Sequence, residues 1–227
     1  MNVQPEAGRA VRYACAVLAD CRPASLPMDP GSLAARAGIL LVPLSRVENY
    51  PLWVPYDIFD SLRSACAVTV SYPAFCIVFR DDAEPDRLRL ALFHELGHIF
   101  MNHYRDFPER MDPSRPDDPS LEAEADAFAL NMTAPVPVVD VIRYNRPQQA
   151  KSSLFGLSRT AWMRRLASID RDRSFVDEEA TNIVLYAFRD YLLGRRCPSC
   201  GKTFADEEQN NRCPFCGAEN PDWTLIE

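Results

Sequence analysis

The stretch His94-Glu95-Leu96-Gly97-His98 carries the residues best placed to do chemistry. Residues four apart on a helix stand one above the other on the same face. His94 and His98 can therefore turn their imidazoles toward one metal ion, and Glu95, one step around the helix, can reach a water on it. Two neutral imidazole ligands, an open coordination position and a carboxylate acting as general base are the arrangement of a zinc-dependent peptidase. The flanks, Leu88 to Phe93 and Ile99 to Met101, are mostly apolar, which predicts a buried helix. The chain has only three histidines, His94, His98 and His103, and all fall within this segment.

Two histidines and a water leave a tetrahedral zinc one protein ligand short. No histidine follows in the extended position that some zinc peptidases use; His103 comes one residue too early. A carboxylate must complete the set. Leu121-Glu122-Ala123-Glu124-Ala125-Asp126-Ala127-Phe128-Ala129-Leu130 reads as a second helix, with alanines that let a neighbour approach closely. Glu122 and Asp126 share a face. Glu122 is the preferred third ligand, with Asp126 orienting a ligand histidine through its other ring nitrogen. Glu124 is the alternative, though it points well away from that face if Glu122 points in. His103 is a candidate catalytic residue at the rim of the site, where it would stabilise a charged transition state. Its other reading is a partly exposed histidine at a helix end, favoured by the helix dipole.

A second group of ligands lies near the C-terminus. Cys197-Pro198-Ser199-Cys200-Gly201 and Cys213-Pro214-Phe215-Cys216-Gly217 are two C-P-x-C-G knuckles. Each turn aims two thiolates at one ion, and the glycine permits the tight backbone. Four thiolates select zinc and close the site, which makes its role structural and the module a zinc ribbon. The expected cofactors are thus two Zn2+ ions, one catalytic and one structural. Cys15, Cys21, Cys66 and Cys76 are scattered and read as buried thiols; thiol ligands and free thiols together suit a reducing cytoplasm.

The remaining elements must position these groups. Periodicity predicts helices over 7–20, from Asp29-Pro30-Gly31-Ser32 to Gly38, after Asp81-Asp82-Ala83-Glu84-Pro85, and from Arg159 to Ala167 with Ser158 as N-cap. Val176 to Leu193 reads as one long helix. Ile39 to Val42, Ala67 to Ser71 and Phe75 to Phe79 read as strands, the last two as a hairpin-like pair. An edge strand beside the metal can hold a substrate chain by β-augmentation. The stretch 47–65, with Tyr50, Trp53, Tyr56 and Phe59, reads as aromatic core packing in preference to a cleft lining. Residues 105–119, broken by four prolines, read as a loop and candidate lid.

The chain is similar to the ImmA/IrrE family of metallopeptidases over residues 30–170. The matching residues are the apolar run into His94-Glu95-Leu96-Gly97-His98, Glu122 through Phe128-Ala129, Met132 and Pro135. Phe155-Gly156-Leu157-Ser158 follows, with Ala161 and Arg165-Leu166. The pattern departs at Ala134-Pro135-Val136-Pro137 and in the C-terminal ribbon. The resemblance implies a gluzincin-like core, a helix-turn-helix-like middle region, and a regulatory target. That target is a helix-turn-helix transcriptional repressor cleaved in a stress or mobile-element switch. The expected fold is α+β: a zincin-like peptidase core over 1–135, a helical region over 136–194 and a four-cysteine zinc ribbon over 195–227.

Composition narrows the partners. The chain has 227 residues and a net charge of −7, which argues against whole-protein attraction to nucleic acid or anionic membrane. Residues 143–173 hold eight Arg or Lys against Asp170 and Asp172, which reads as a solvated basic face or a surface for DNA or an acidic partner. Residues 195–227 carry four basic against six acidic groups, which does not suit phosphate binding. No apolar run approaches the ~20 residues that span a bilayer. Met1 to Gly8 lacks the basic start of a secretory signal, so the cytoplasm is the expected compartment. The leading expectation is a zinc endopeptidase acting on a protein substrate. The alternative is a non-proteolytic adaptor or anti-repressor that sequesters a regulator; such a scaffold has no need of Glu95 as a base.

Overall fold

Helix α1 (Ala7–Cys21) buries Ala10, Val11, Ala14 and Leu18 along one face and ends where Arg22 takes a left-handed conformation. The structure, a computed structural model, describes residues 6–23, 25–49, 61–70, 75–112, 116–145, 152–205 and 212–219. Helix α2 (Pro30–Arg36) begins at Asp29, whose carboxylate accepts the Gly31 and Ser32 backbone N–H groups, with Pro30 in the first turn. Strands β1 (Leu40–Pro43), β2 (Ala67–Val70) and β3 (Cys76–Phe79) form a sheet in the order β1-β3-β2. Strand β3 is parallel to β1 and antiparallel to β2. Central β3 buries Cys76, Ile77 and Val78 completely, which explains its unbroken apolar run. Tyr50, Trp53, Tyr56 and Phe59, with the rest of 50–60, lie outside the described residues.

The motif helix α3 (Pro85–Phe100) has proline and Asp86 in its first turn, where the dipole and the unpaired N–H groups favour them. Asn102, left-handed at φ 57°, turns the chain sharply into the single turn α4 (His103–Asp106). Helix α5 (Pro119–Thr133) is capped by Asp118, which also receives two hydrogen bonds from Arg110 at 2.7 and 2.8 Å. That pair ties the 105–119 loop to the start of α5. Gly97 packs closely against α5. A Cβ there would stand 3.1 Å from Phe128 Cδ1 and 3.4 Å from the Ala125 backbone. The missing side chain lets the Glu122–Asp126 face come up against His94.

The middle region continues with α6 (Val136–Asn145), α7 (Arg159–Arg173), α8 (Glu178–Ala187) and α9 (Arg189–Leu193). Ser158 caps α7, as its spacing predicts, and Asp177 caps α8. The long helix expected over 176–193 is instead two helices broken at Phe188. The break allows Phe188 to be fully buried and Tyr191 nearly so, and that packing overrides helix continuity. Val138, Val139, Ile142, Trp162, Val184 and Phe188 belong to the same hydrophobic cluster as Leu18, Leu92, Phe93 and Phe128. Residues 136–194 therefore share a core with the preceding helices.

Part of the basic stretch is structural. Arg165 is fully buried and donates to the Ala134 carbonyl at 2.8 Å, to Asn131 Oδ1 at 3.0 Å and to Asp172 Oδ2 at 2.6 Å. Arg171 pairs with Asp172, and Arg173 with Asp140 and Asp170. These arginines pin α7 in place and leave a weaker basic face than the bare count suggests.

Strands β4 (Gly194–Arg196) and β5 (Thr203–Ala205) pair antiparallel around the first cysteine knuckle, and an Arg212–Glu219 bridge flanks the second. No single helix among the described residues is long and apolar enough to cross a membrane.

Candidate metal centre

His94 and His98 project from the same face of α3 and meet Glu122 from α5. Their Nε2 atoms are 3.0 Å apart; Glu122 Oε2 is 3.1 Å from His94 Nε2, and Glu122 Oε1 is 3.4 Å from His98 Nε2. Donors about 2.0–2.1 Å from a tetrahedral ion stand about 3.3 Å from one another. The three side chains thus match the spacing of three ligands around one small cation, and they form a potential metal-binding group. Glu122, and not Glu124, faces His94 and His98.

The charges agree with that fit. His94 Nδ1 lies 3.0 Å from Asp126 Oδ1. An ionised carboxylate only accepts, so His94 donates from Nδ1 to Asp126, and from Nε2 to Glu122 when no metal is bound; a metal would take the place of the Nε2 proton. The same hydrogen bond holds the Asp126 carboxyl below its usual range. Burial works against a charge on His94, yet the hydrogen bonds of Asp126 and Glu122 outweigh it and push its pKa up to about 10. Burial and then the neighbouring His94 and His103 push His98 down to about 2. The carboxylates around this point require a positive charge. A divalent cation at this point would supply it with both imidazoles neutral.

Glu95 turns from the same helix toward strand β2. Its Oε2 accepts the Thr69 hydroxyl at 2.6 Å. Burial pushes its carboxyl up, opposed by His94 and by the Thr69 hydrogen bond. The group lies in a cleft of about 1170 Å³, walled by residues 66–70, Leu90, Tyr104, Asp117 and Arg164. Among the described residues strand β2 is an edge of the sheet, and it lies beside the candidate site. The Tyr104 ring sits 6.3 Å from that of His98 and 5.4 Å from that of Phe75. Burial first, and then the charge of Glu95, push its phenol above the ordinary value, so it stays a donor. Arg164 reaches over from α7, 3.7 Å from Asp126 Oδ2.

His103 is not at the rim, nor is it partly exposed. It is completely buried, with Nδ1 2.9 Å from His98 Nδ1 and Nε2 3.0 Å from Glu124 Oε2. The left-handed turn at Asn102 folds α4 back beneath α3, which carries His103 behind His98 and puts Tyr104 in the cleft wall. From there His103 cannot touch a substrate.

The four cysteines form the second potential metal-binding group. Cys197 Sγ is 3.6 Å from Cys216 Sγ, and Cys200 Sγ is 3.7 Å from Cys213 Sγ. Thiolates about 2.3 Å from a tetrahedral ion stand about 3.8 Å apart. Gly201 and Gly217 take φ values of 71° and 72°, the left-handed geometry the knuckle turns need. Backbone N–H groups of Cys200, then Ser199, point at Cys197 and pull its thiol down to about 6. Cys216 is pushed up to about 12: the Ala218 N–H favours its thiolate, but burial and the three neighbouring sulfurs outweigh it. Four thiolates at this spacing repel one another unless a cation lies between them.

Sequence reasoning passed over Thr69, Tyr104 and Arg164. Thr69 carried a weak signal, a polar residue between two valines in a β-rich run. Tyr104 carried none beyond its place next to His103. Comparison of the chain with protein-family models and with curated proteins gives no match.

Proposed function

We propose that the chain is a zinc-dependent endopeptidase whose centre is His94, His98 and Glu122. The observation that carries this reading is the convergence of those three donors at tetrahedral spacing on a cleft floor, beside Glu95 and an edge strand. The two imidazoles and the carboxylate would hold zinc, which when bound polarises a scissile carbonyl and lowers the pKa of water. Glu95 takes the proton of the attacking water and passes it to the leaving amine nitrogen. The Thr69 hydroxyl occupies Oε2 of Glu95, leaving Oε1 for the water. Tyr104, held protonated, donates to the oxygen that gains charge in the transition state, the role that the sequence alone suggests for His103. The outer edge of β2, unpaired among the described residues, receives the substrate as an added strand. In the ribbon, four thiolates leave no open position, so a zinc ion there is structural.

The similarity to the ImmA/IrrE family supports a regulatory substrate, a helix-turn-helix repressor. The purified, zinc-loaded protein is therefore incubated with such a repressor encoded beside its gene, and in parallel with unfolded casein. Products are read by gel and intact mass. Cleavage is expected, lost with a chelator and slowed by roughly 10² or more in Glu95→Gln. Wild-type cleavage by Glu95→Gln would refute the general-base role. Tight repressor binding without cleavage by either protein would support the sequestering adaptor.

A further inference from the structure

The hydrogen bonds behind His98 run through the protein interior, unlike the single contact to half-exposed Asp126 behind His94. His98 Nδ1 meets His103 Nδ1 at 2.9 Å, His103 Nε2 meets Glu124 Oε2 at 3.0 Å, and both His103 and the Glu124 side chain are fully buried. The other oxygen, Glu124 Oε1, accepts the Glu6 backbone N–H at 3.1 Å and lies 3.2 Å from Arg9 Nε. Arg9 also donates from Nη2 to the Met101 carbonyl at 2.7 Å, at the C-terminal end of α3. Its Nε and Nη1 are buried without a hydrogen-bond partner among the described residues, so its link to Glu124 is an ion pair and not a hydrogen bond.

The direction of donation along this chain is fixed from its far end. A carboxylate only accepts, so His103 donates from Nε2 to Glu124. A His103 ring carrying one proton, on Nε2, accepts at Nδ1, and His98 then donates from its own Nδ1. With a metal bound, that leaves His98 Nε2 as the ligand atom, beside His94 Nε2. The two ligand histidines reach the same tautomer by different means.

We propose that His103, Glu124 and Arg9 are positioning residues of the metal centre. They hold His98 as an Nδ1–H tautomer with fixed ring orientation, and they anchor that support to the first turns of α1. The proposal rests on the metal-holding part of the proposed function and not on hydrolysis. A residue that merely fills core touches its neighbours through apolar atoms. Here every ring nitrogen of His98 and His103 has a stated role, and Glu124 spends one oxygen on His103 and the other on α1.

The three histidines are the only ones in the chain, so isotopic labelling of histidine nitrogen in the full-length protein reports on this centre and not on the cysteine cluster. Ring-nitrogen spectra are recorded during zinc titration against a competing chelator, and thermal unfolding of the metal-free proteins is measured alongside. In the wild type, zinc should shift the Nε2 signals of His94 and His98, with both rings protonated at Nδ1. His103→Phe should weaken zinc binding at these histidines by about 10- to 100-fold and leave His98 a mixture of tautomers. His103→Gln retains one acceptor and one donor and should stay close to wild type. Glu124→Gln and Arg9→Met should weaken zinc binding by progressively smaller factors. They decide the matter if His103→Phe does not fold. Wild-type zinc affinity with an unmixed His98 tautomer in His103→Phe, Glu124→Gln and Arg9→Met overturns the proposal, even if their metal-free stability falls. Histidine signals that ignore zinc in the wild type overturn the metal-site reading itself.

Discussion

The two ligand clusters are built on opposite plans. In the cysteine cluster, four identical candidate ligands come from two short turns, and the buried apolar material around them among the described residues is little more than Cys197, Cys213 and the flank of Ala218. A bound ion would there serve as the core, because so small a module buries little surface of its own. In the other cluster, unlike ligands come from two long helices that rest on Leu92, Phe93, Leu96 and Phe128. The apolar core already sets the helices in register, and one side of the donor set opens on a cleft. A metal that makes the fold would sit in a closed site, whereas a fold that makes the site can leave a coordination position for chemistry.

The largest effect expected from this contrast is in the ribbon. Cys197→Ser with Cys200→Ser should unfold residues 194–219 and leave the helical core with its own cooperative transition, read by limited proteolysis and thermal unfolding. Loss of the whole fold would show that the ribbon and the core are not separate folding units. In the histidine cluster the same kind of damage should cost metal and not fold. Glu122→Gln should lose most of its metal while far-ultraviolet dichroism stays unchanged. Asp126→Asn should weaken metal binding by about tenfold, because it acts through His94 Nδ1. Metal loss in Glu124→Gln greater than in Glu122→Gln would reverse the ligand assignment. The smallest effect concerns orientation alone. Thr69→Val removes the hydroxyl that holds Glu95 and should lower kcat by about tenfold with metal content unchanged. A change in KM at constant kcat would instead mark Thr69 as a substrate contact.

The parts of this architecture that could be read in the sequence are those set by local periodicity. Spacing of four placed His94 with His98 and Glu122 with Asp126, and the knuckle turns placed the cysteines in pairs. The cap at Ser158 fixed one helix start closely, and Asp29 or Ser32 bracketed another, where the cap is Asp29. What escaped depends on long-range packing or on one backbone angle. The left-handed turn at Asn102 reverses the chain, so extending the motif helix put His103 at the rim when it lies beneath His98. Thr69 and Glu95 are 26 residues apart and meet only once β2 lies against α3. Arg165 looked like one more surface cation because its partners, Asn131 and Asp172, stand on another helix and another turn. The break at Phe188 follows from what that ring packs against, which periodicity does not specify.

Two metal ions held in unlike sites are the central claim, and metal content by native mass spectrometry tests it most directly. The wild type should carry two zinc ions per chain. His94→Ala with His98→Ala should carry one, still released only when the cysteine cluster is disrupted, and should have no peptidase activity. One zinc in both proteins would contradict the claim, because the histidine cluster would then hold no metal.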